Sequence, residues 1–247
     1  MQYAIGGREV MAIMETDTYI GQGIYSISRA SFIVRANQAA VRRWITGNRR
    51  EDGQPRPLLE VAYEPVEGRT TVSFLDLIEI RLVTRLRAEG VSLQRLRQAR
   101  SLLSEQFGVR HPFAWGQLRT DGRDVFAKVL EEDSERVIQA SGRNRANYVL
   151  PEVVEPYFRN IDFARDSQMA ERVYPFGRDG GILIDARVSF GEPVLSGSRI
   201  PTLVLAGFAR AGDSAASIAR WYGIEPGAVE TARVFESGKE WAHRLLL

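Results

Sequence analysis

Six arginines dominate the candidate chemistry of this chain. Arg29, Arg35, Arg42, Arg43, Arg49 and Arg50 lie between Tyr25 and Arg50, a stretch that contains no Asp or Glu. Asn37 and Gln38 sit among them. A guanidinium forks onto a phosphate or onto the O6/N7 edge of guanine, and a side-chain amide matches the N6/N7 edge of adenine. The chemistry on offer is therefore anion and base recognition. Asn37, Gln38 and Arg42 are assigned to base edges, and Arg29, Arg43, Arg49, Arg50 and Arg56 to phosphates. The competing account of the same residues is a solvated arginine face on a small helical bundle.

Such residues need helices to aim them. Ser28, or its competitor Ser26, caps a first helix with Phe32 and Ile33 inward. Asn37 caps a second, in which Ala40, Val41 and Trp44 recur at helical spacing and Gln38, Arg42 and Arg43 fall on the opposite side. Gly47-Asn48 stops it. Pro55, Pro57, Pro65 and Gly68 then punctuate short apolar pieces, Leu58-Leu59 and Val61-Ala62-Tyr63, which read as a two-stranded wing. Ser73 with Asp76 three residues later forms a shortened capping box for a helix carrying Phe74, Leu75, Ile78, Leu82 and Leu86. Gly90 ends that helix. Ser92 leads into another, with Leu93, Leu96, Leu102, Leu103 and Phe107 as its apolar set.

Composition narrows the function class. Residues 1–50 carry seven arginines against three acids, whereas the remainder carries 26 basic and 28 acidic residues, so positive charge is concentrated at one end. The chain has no cysteine, which removes disulfides, thiolate metal sites and cysteine nucleophiles and fits a reducing cytoplasm. No apolar run reaches the ~20 residues of a membrane span. The two histidines, His111 and His243, stand far apart, and each reads as structural or solvated. There is no phosphate-binding Gly-Lys-Ser/Thr loop, no serine elbow and no paired-histidine metal motif. The expectation is a protein that is not an enzyme and has no catalytic residues, metal ligands or cofactor.

The connecting stretch is less informative. Leu118 to Val129, with Asp121-Gly122 at its centre, predicts a hairpin. Val137-Ile138 and Tyr148 to Leu150 suggest further strands, and Glu131 to Glu135 a solvated acidic turn. Pro151 to Pro175 reads as a linker with a helix. Beyond residue 180, Ile182 to Asp185 is a short strand and Val188 to Leu195 a second. Pro201 opens a helix running from Leu203 to Ala211. Ser214 opens a helix with Ile218, Trp221 and Tyr222 buried, and Pro226 opens a third. Three short helices broken by glycines form a second helix-turn-helix layout.

Two resemblances follow from these residues. The helix pair ending in Trp44, the wing, and the run FLDLIEIRLVTRLRAEGVSLQRLRQA resemble the DNA-binding domain of MerR-type regulators, without that family's long dimerisation helix or its metal-binding cysteines. The wording Ile-Asp-x-x-Val-x-Phe-Gly-x-Pro-Val-x-x-Gly-x-Arg-Ile-Pro, from Ile184 to Pro201, resembles the antitoxin-associated domain of unknown function DUF 433, with Ala186 where that family usually has proline. Together they resemble VapB-type antitoxins of prokaryotic toxin–antitoxin pairs. The resemblance implies a cytoplasmic homodimer with two partners, operator DNA for autorepression and a PIN-like ribonuclease toxin. Arg199, Trp241 and Arg244 are the candidate toxin contacts, Arg199 against the alternative of a structural bridge to Asp185 or Glu192. A MerR-like transcriptional regulator with no toxin partner is the alternative function.

The expected fold is mostly α with small β elements (α+β). A lead-in (1–24) precedes a winged helix-turn-helix domain (25–108), then a connecting region with a β-hairpin (109–179). A short β-hairpin with a three-helix helix-turn-helix domain (180–247) closes the chain.

Overall fold

The computed structural model of the protein describes residues 22–47, 56–65, 68–119 and 154–238. It is mostly helical with small antiparallel sheets, as expected. Strand β1 (Tyr25–Ser26) leads directly into helix α1 (Ile27–Val34) and then α2 (Gln38–Thr46). Strand β2 (Thr71–Val72) precedes the long pair α3 (Phe74–Ala88) and α4 (Leu93–Phe107). A 3-10 turn (Pro112–Ala114) follows. After α5 (Glu155–Arg159) come strands β3 (Ile161–Phe163), β4 (Ala170–Val173), β5 (Ile182–Asp185) and β6 (Val194–Leu195). Helices α6 (Thr202–Ala211), α7 (Ala215–Tyr222) and α8 (Pro226–Ser237) complete the described chain.

Local chemistry explains the helix limits. Ser26, not Ser28, caps α1 by accepting the Arg29 N–H at 3.1 Å, because a start at Ile27 puts Ile27, Ala30, Ile33 and Val34 on one buried stripe. Asn37 caps α2 and Ser92 caps α4. The Ser73–Asp76 capping box is complete in both directions. In α4 the buried set is Leu96, Ala99 and Leu103; Leu102 falls off that stripe and is exposed.

The wing region differs from expectation. Among its described residues one strand forms, β2, and it pairs back onto β1 with Tyr25 opposite Val72. Leu58 and Leu59 are buried without strand pairing, and both their N–H groups donate to the Trp44 carbonyl, at 2.7 and 3.0 Å. They cap the end of α2 instead of building a ribbon. Leu118, where the predicted hairpin begins, lies in a 3-10 helix (Gly116–Arg119); the rest of that hairpin, the further strands and the acidic turn lie outside the described residues.

The region from Pro151 to Pro175 contributes more than a linker and a helix. Strands β3 and β4 form a hairpin, β4 pairs with β5, and β5 with β6, giving one antiparallel sheet in the order β3-β4-β5-β6. That ladder runs across residue 180, where the sequence placed a domain boundary. Val188 to Leu195 is not one strand. A 3-10 turn occupies Ser189–Gly191, with Ser189 and Phe190 at positive φ, and only Val194–Leu195 extends. Pro193, which has no N–H to donate, lies between them.

Two apolar cores form among the described residues. The larger joins α1 to α4, the segment after α4, α5 and the sheet as far as Ile184 and Ala186. The smaller holds Ile182, Leu195, Leu205, Ile218, Val229 and Phe235. Phe32 of α1 packs against both. Among the described residues no helix is long and apolar enough to cross a membrane.

Candidate nucleic-acid interface and partner surface

The exposed face of α2 is the clearest candidate for anion contact. Val41, Trp44 and Ile45 bury one side of the helix in the larger core. Gln38, Arg42 and Arg43 stand on the other side, all exposed, and Arg56 is exposed on the segment that returns past Gly47. Gly47 sits at φ 75, and a Cβ there would lie 2.7 Å from the Arg56 backbone nitrogen. Close backbone passage therefore holds Arg56 beside the end of α2. Arg49 and Arg50 lie outside the described residues.

Two of the predicted DNA contacts are engaged within the fold. Asn37 uses its Oδ1 to cap α2, accepting the Ala40 N–H at 3.1 Å. Bidentate adenine recognition draws on that same oxygen, so a base contact by Asn37 would share it with the cap. Arg29 does not face solvent as a phosphate contact. Its Nε and Nη2 donate to Glu192 at 2.9 and 2.7 Å, and its Nη1 and Nη2 donate to Glu236, both at 2.8 Å. Burial by itself would lower the Arg29 pKa; the hydrogen bonds to Glu236 and Glu192 outweigh it and raise the value. Arg35 is drawn inward too. Its Nη2 donates to the Phe235 carbonyl and its guanidinium lies 4.0 Å from the Phe32 ring centroid. Desolvation pushes Arg35 down to about 10, so it stays charged at neutral pH. Of the four described arginines of the stretch, Arg29 and Arg35 thus dock the first helix onto α8, and Arg42 and Arg43 face outward.

The same docking is reinforced by Tyr25. Its hydroxyl donates to the Gly191 carbonyl at 2.7 Å, and the Ile24 N–H donates to the Phe190 carbonyl at 3.2 Å. Burial raises the Tyr25 pKa well above its ordinary value, so the hydroxyl remains a donor.

On the other flank, Arg199 is exposed, and Ser189 Oγ donates to its carbonyl at 3.2 Å. The bridges weighed for Arg199 are not formed among the described residues. Asp185 is held by Arg172 at 2.7 Å and Arg187 at 3.3 Å, and Glu192 by Arg29. Phe190, on the Ser189 turn, is 67 % exposed. Trp221, expected in the core, is 59 % exposed and lies edge-on to Phe208, with ring centroids 5.7 Å apart. The buried residues of α7 are Ile218 and Ala219, which turns Trp221 outward. Trp241 and Arg244 lie outside the described residues.

One cluster escaped the sequence. Asp76, Glu79 and His111 are all buried, and one donor atom from each lies within 4.8 Å of the others. Asp76 and Glu79 are one turn apart on α3, the only signal visible in sequence. His111 is 32 residues from Glu79 and stands at the entry to the 3-10 turn, buried as one of the two expected alternatives, a structural histidine. Burial raises the Asp76 pKa, against the hydrogen bonds from Ser73 and Ala62 that favour its charge.

Comparison with known proteins agrees with this architecture. Residues 182–235 match the family described as "Protein of unknown function (DUF433)". The chain is 27% identical over 218 residues to the Mycobacterium tuberculosis protein named "Putative antitoxin VapB45", covering 82% of this chain and 89% of that one. Its fold is similar to the X-ray crystal structure of Rv2018 from Mycobacterium tuberculosis, with a TM-score of 0.63 and 26% identity, over 84% of this chain and 96% of the other.

Proposed function

We propose that the protein is the antitoxin of a type II toxin–antitoxin pair, a regulatory protein rather than an enzyme. In this role it binds and neutralises a PIN-like ribonuclease toxin and, as a cytoplasmic homodimer, binds operator DNA to repress its own operon. The observation that carries this reading is the likeness to a protein named as an antitoxin along most of both chains.

The DNA arm is the exposed face of α2. Gln38 and Arg42 reach base edges, while Arg43 and Arg56 hold phosphates, with Arg49 and Arg50 continuing the charge beyond the described residues. The MerR-like order of helices supports this arm. The toxin arm centres on Arg199. An exposed guanidinium, on a turn whose backbone meets that of the exposed Phe190 through Ser189, suits a carboxylate-lined metal site, because charge complementarity steers the encounter. Trp241 and Arg244, outside the described residues, are proposed as toxin contacts from the sequence alone.

The test is co-expression with the product of the adjacent gene, followed by pull-down and an operator mobility shift. Capture of that product, weakened at least tenfold by Arg199→Ala, is the expected result. A protein that shifts operator DNA but captures no neighbour is instead the transcriptional regulator without a toxin. Failure of both assays with folded protein refutes the proposal.

A further inference from the structure

We propose that Asp76, Glu79 and His111 form a binding site for a divalent cation of the zinc class, which clamps the start of α3 to the chain at residues 111–113.

The first argument is the state of Asp76. Its Oδ2 accepts three hydrogen bonds, from Ser73 N–H at 2.7 Å, Ser73 Oγ at 2.9 Å and Ala62 N–H at 3.1 Å. Its Oδ1 is buried and accepts no hydrogen bond, while the residue is 1 % exposed. Buried carboxylate oxygens left bare are costly. One oxygen fixed by neighbouring donors with the other presented bare is the arrangement of a carboxylate oriented for a metal. Glu79 is anchored on both oxygens, and Oε2 accepts from Arg100 at 3.2 Å. Its Oε1 accepts the Phe113 N–H at 3.2 Å, and its Oε2 turns toward the imidazole.

The second argument is spacing. His111 Nδ1 lies 3.5 Å from Asp76 Oδ1 and 3.4 Å from Glu79 Oε2. Charge-assisted N–H···O bonds contract to about 2.7–2.9 Å. A tetrahedral ion with bonds of about 2.0–2.2 Å instead sets neighbouring donor atoms roughly 3.3–3.6 Å apart. Both separations fall in that range.

Charge and access agree. Arg100 reaches Glu79 Oε2 at 3.2 Å and so balances one of two buried carboxylates. Among the described residues no arginine is paired with the other carboxylate, Asp76, and a cation fills that place. One nitrogen and two oxygens suit zinc and its first-row neighbours, and a chain without cysteine offers no thiolate to divert them. His111 and Ser73 also border a cavity of about 440 Å³, through which an ion reaches the imidazole side of the site.

The experiment uses the full chain, stripped with a chelator and titrated with Zn²⁺ by calorimetry and with Co²⁺ by visible absorption. The variants are His111→Gln and Asp76→Asn; the latter keeps an acceptor for Ser73 and Ala62. The expected result is one ion per chain, a rise in Tm on zinc addition, and affinity weakened more than about 100-fold in either folded variant, with loss of the cobalt bands. His243 is present in every protein compared, so the difference reports the proposed site. No stoichiometric uptake by the folded natural chain overturns the proposal. So does uptake that both variants retain. A Tm that zinc leaves unchanged in the natural chain overturns it as well.

Discussion

Arg29 of α1 and Glu236 of α8, 207 residues apart in sequence, meet fork to fork. Nη1 lies 2.8 Å from Oε2 and Nη2 lies 2.8 Å from Oε1. The Glu236 side chain is 3 % exposed, and its Oε1 also accepts the Thr202 hydroxyl at 2.6 Å. The pair ties the first helix of the arginine-rich stretch to the last described helix of the chain.

Glu236→Ala therefore costs stability without touching either proposed partner surface. Glu192 still neutralises Arg29 in the variant, so the loss is that of the hydrogen bonds from Arg29 and Thr202, about 1.5–3 kcal/mol for each charged one at most, rather than of a whole buried pair. Urea unfolding measures it. A double cycle with Arg29→Ala is expected to show coupling well above 0.5 kcal/mol; additive losses would mean the two side chains do not interact.

Outward and inward arginines should separate in DNA binding. Arg42→Ala with Arg43→Ala is expected to weaken operator affinity, by roughly 1–3 kcal/mol for a base contact, and to make the salt dependence shallower. Folding stability should change by less than about 0.5 kcal/mol, because both side chains are exposed. Arg29→Ala should do the reverse, lowering stability while leaving the salt slope as it was. Identical salt slopes for the natural protein and the Arg42/Arg43 variant would remove α2 from the interface.

Asp185 predicts an acid limb of stability. Burial raises its pKa, but hydrogen bonds from Arg187 and Arg172 prevail and hold it below the usual carboxylate value. A folded pKa below the unfolded one, about 3.9, gives stabilisation that is complete above that value. It is lost as pH falls through the folded pKa. The stability difference between the natural chain and Asp185→Asn should accordingly shrink as pH drops below about 4. A difference independent of pH would show that Asp185 gains nothing from the two arginines.

Gly191→Ala should be among the most damaging single-methyl changes. Gly191 sits at φ 83, and a Cβ there would fall 2.2 Å from the Tyr25 hydroxyl oxygen. The left-handed backbone alone costs a non-glycine residue about 1–2 kcal/mol, and the clash adds the loss of the Tyr25 hydrogen bond to the Gly191 carbonyl. Thermal unfolding of the variant beside Tyr25→Phe separates strain from hydrogen bond. If Gly191→Ala costs no more than Tyr25→Phe, the backbone is not strained by the methyl group.

The packing also changes how the two proposed arms can be tested. Deleting residues 180–247 looks from the sequence like removal of a separable domain. In the fold it would strip β5 from β4, bare Tyr25, and leave Arg29 without either carboxylate. Point substitutions at Arg199 or Arg42 are the discriminating changes.

The sequence by itself determined the helices and the outward face of α2. Caps at Asn37, Ser73, Ser92 and Ser214, left-handed exits at Gly108, Gly212 and Gly223, and 3.6-residue apolar spacing act within a few residues, so they are legible locally. Gln38, Arg42 and Arg43 are opposite Val41 and Trp44 by helical geometry alone. Only the tertiary structure decided the rest. Two-residue strands such as β1 and β2 carry too little periodicity to be read, and their pairing depends on a partner dozens of residues away. Charge type does not reveal direction: Arg29 and Arg42 look alike in sequence, yet one is claimed by Glu192 and Glu236 and the other faces solvent. The Asp76–Glu79–His111 cluster was likewise invisible, because a histidine becomes a candidate ligand only when the chain folds it against two carboxylates.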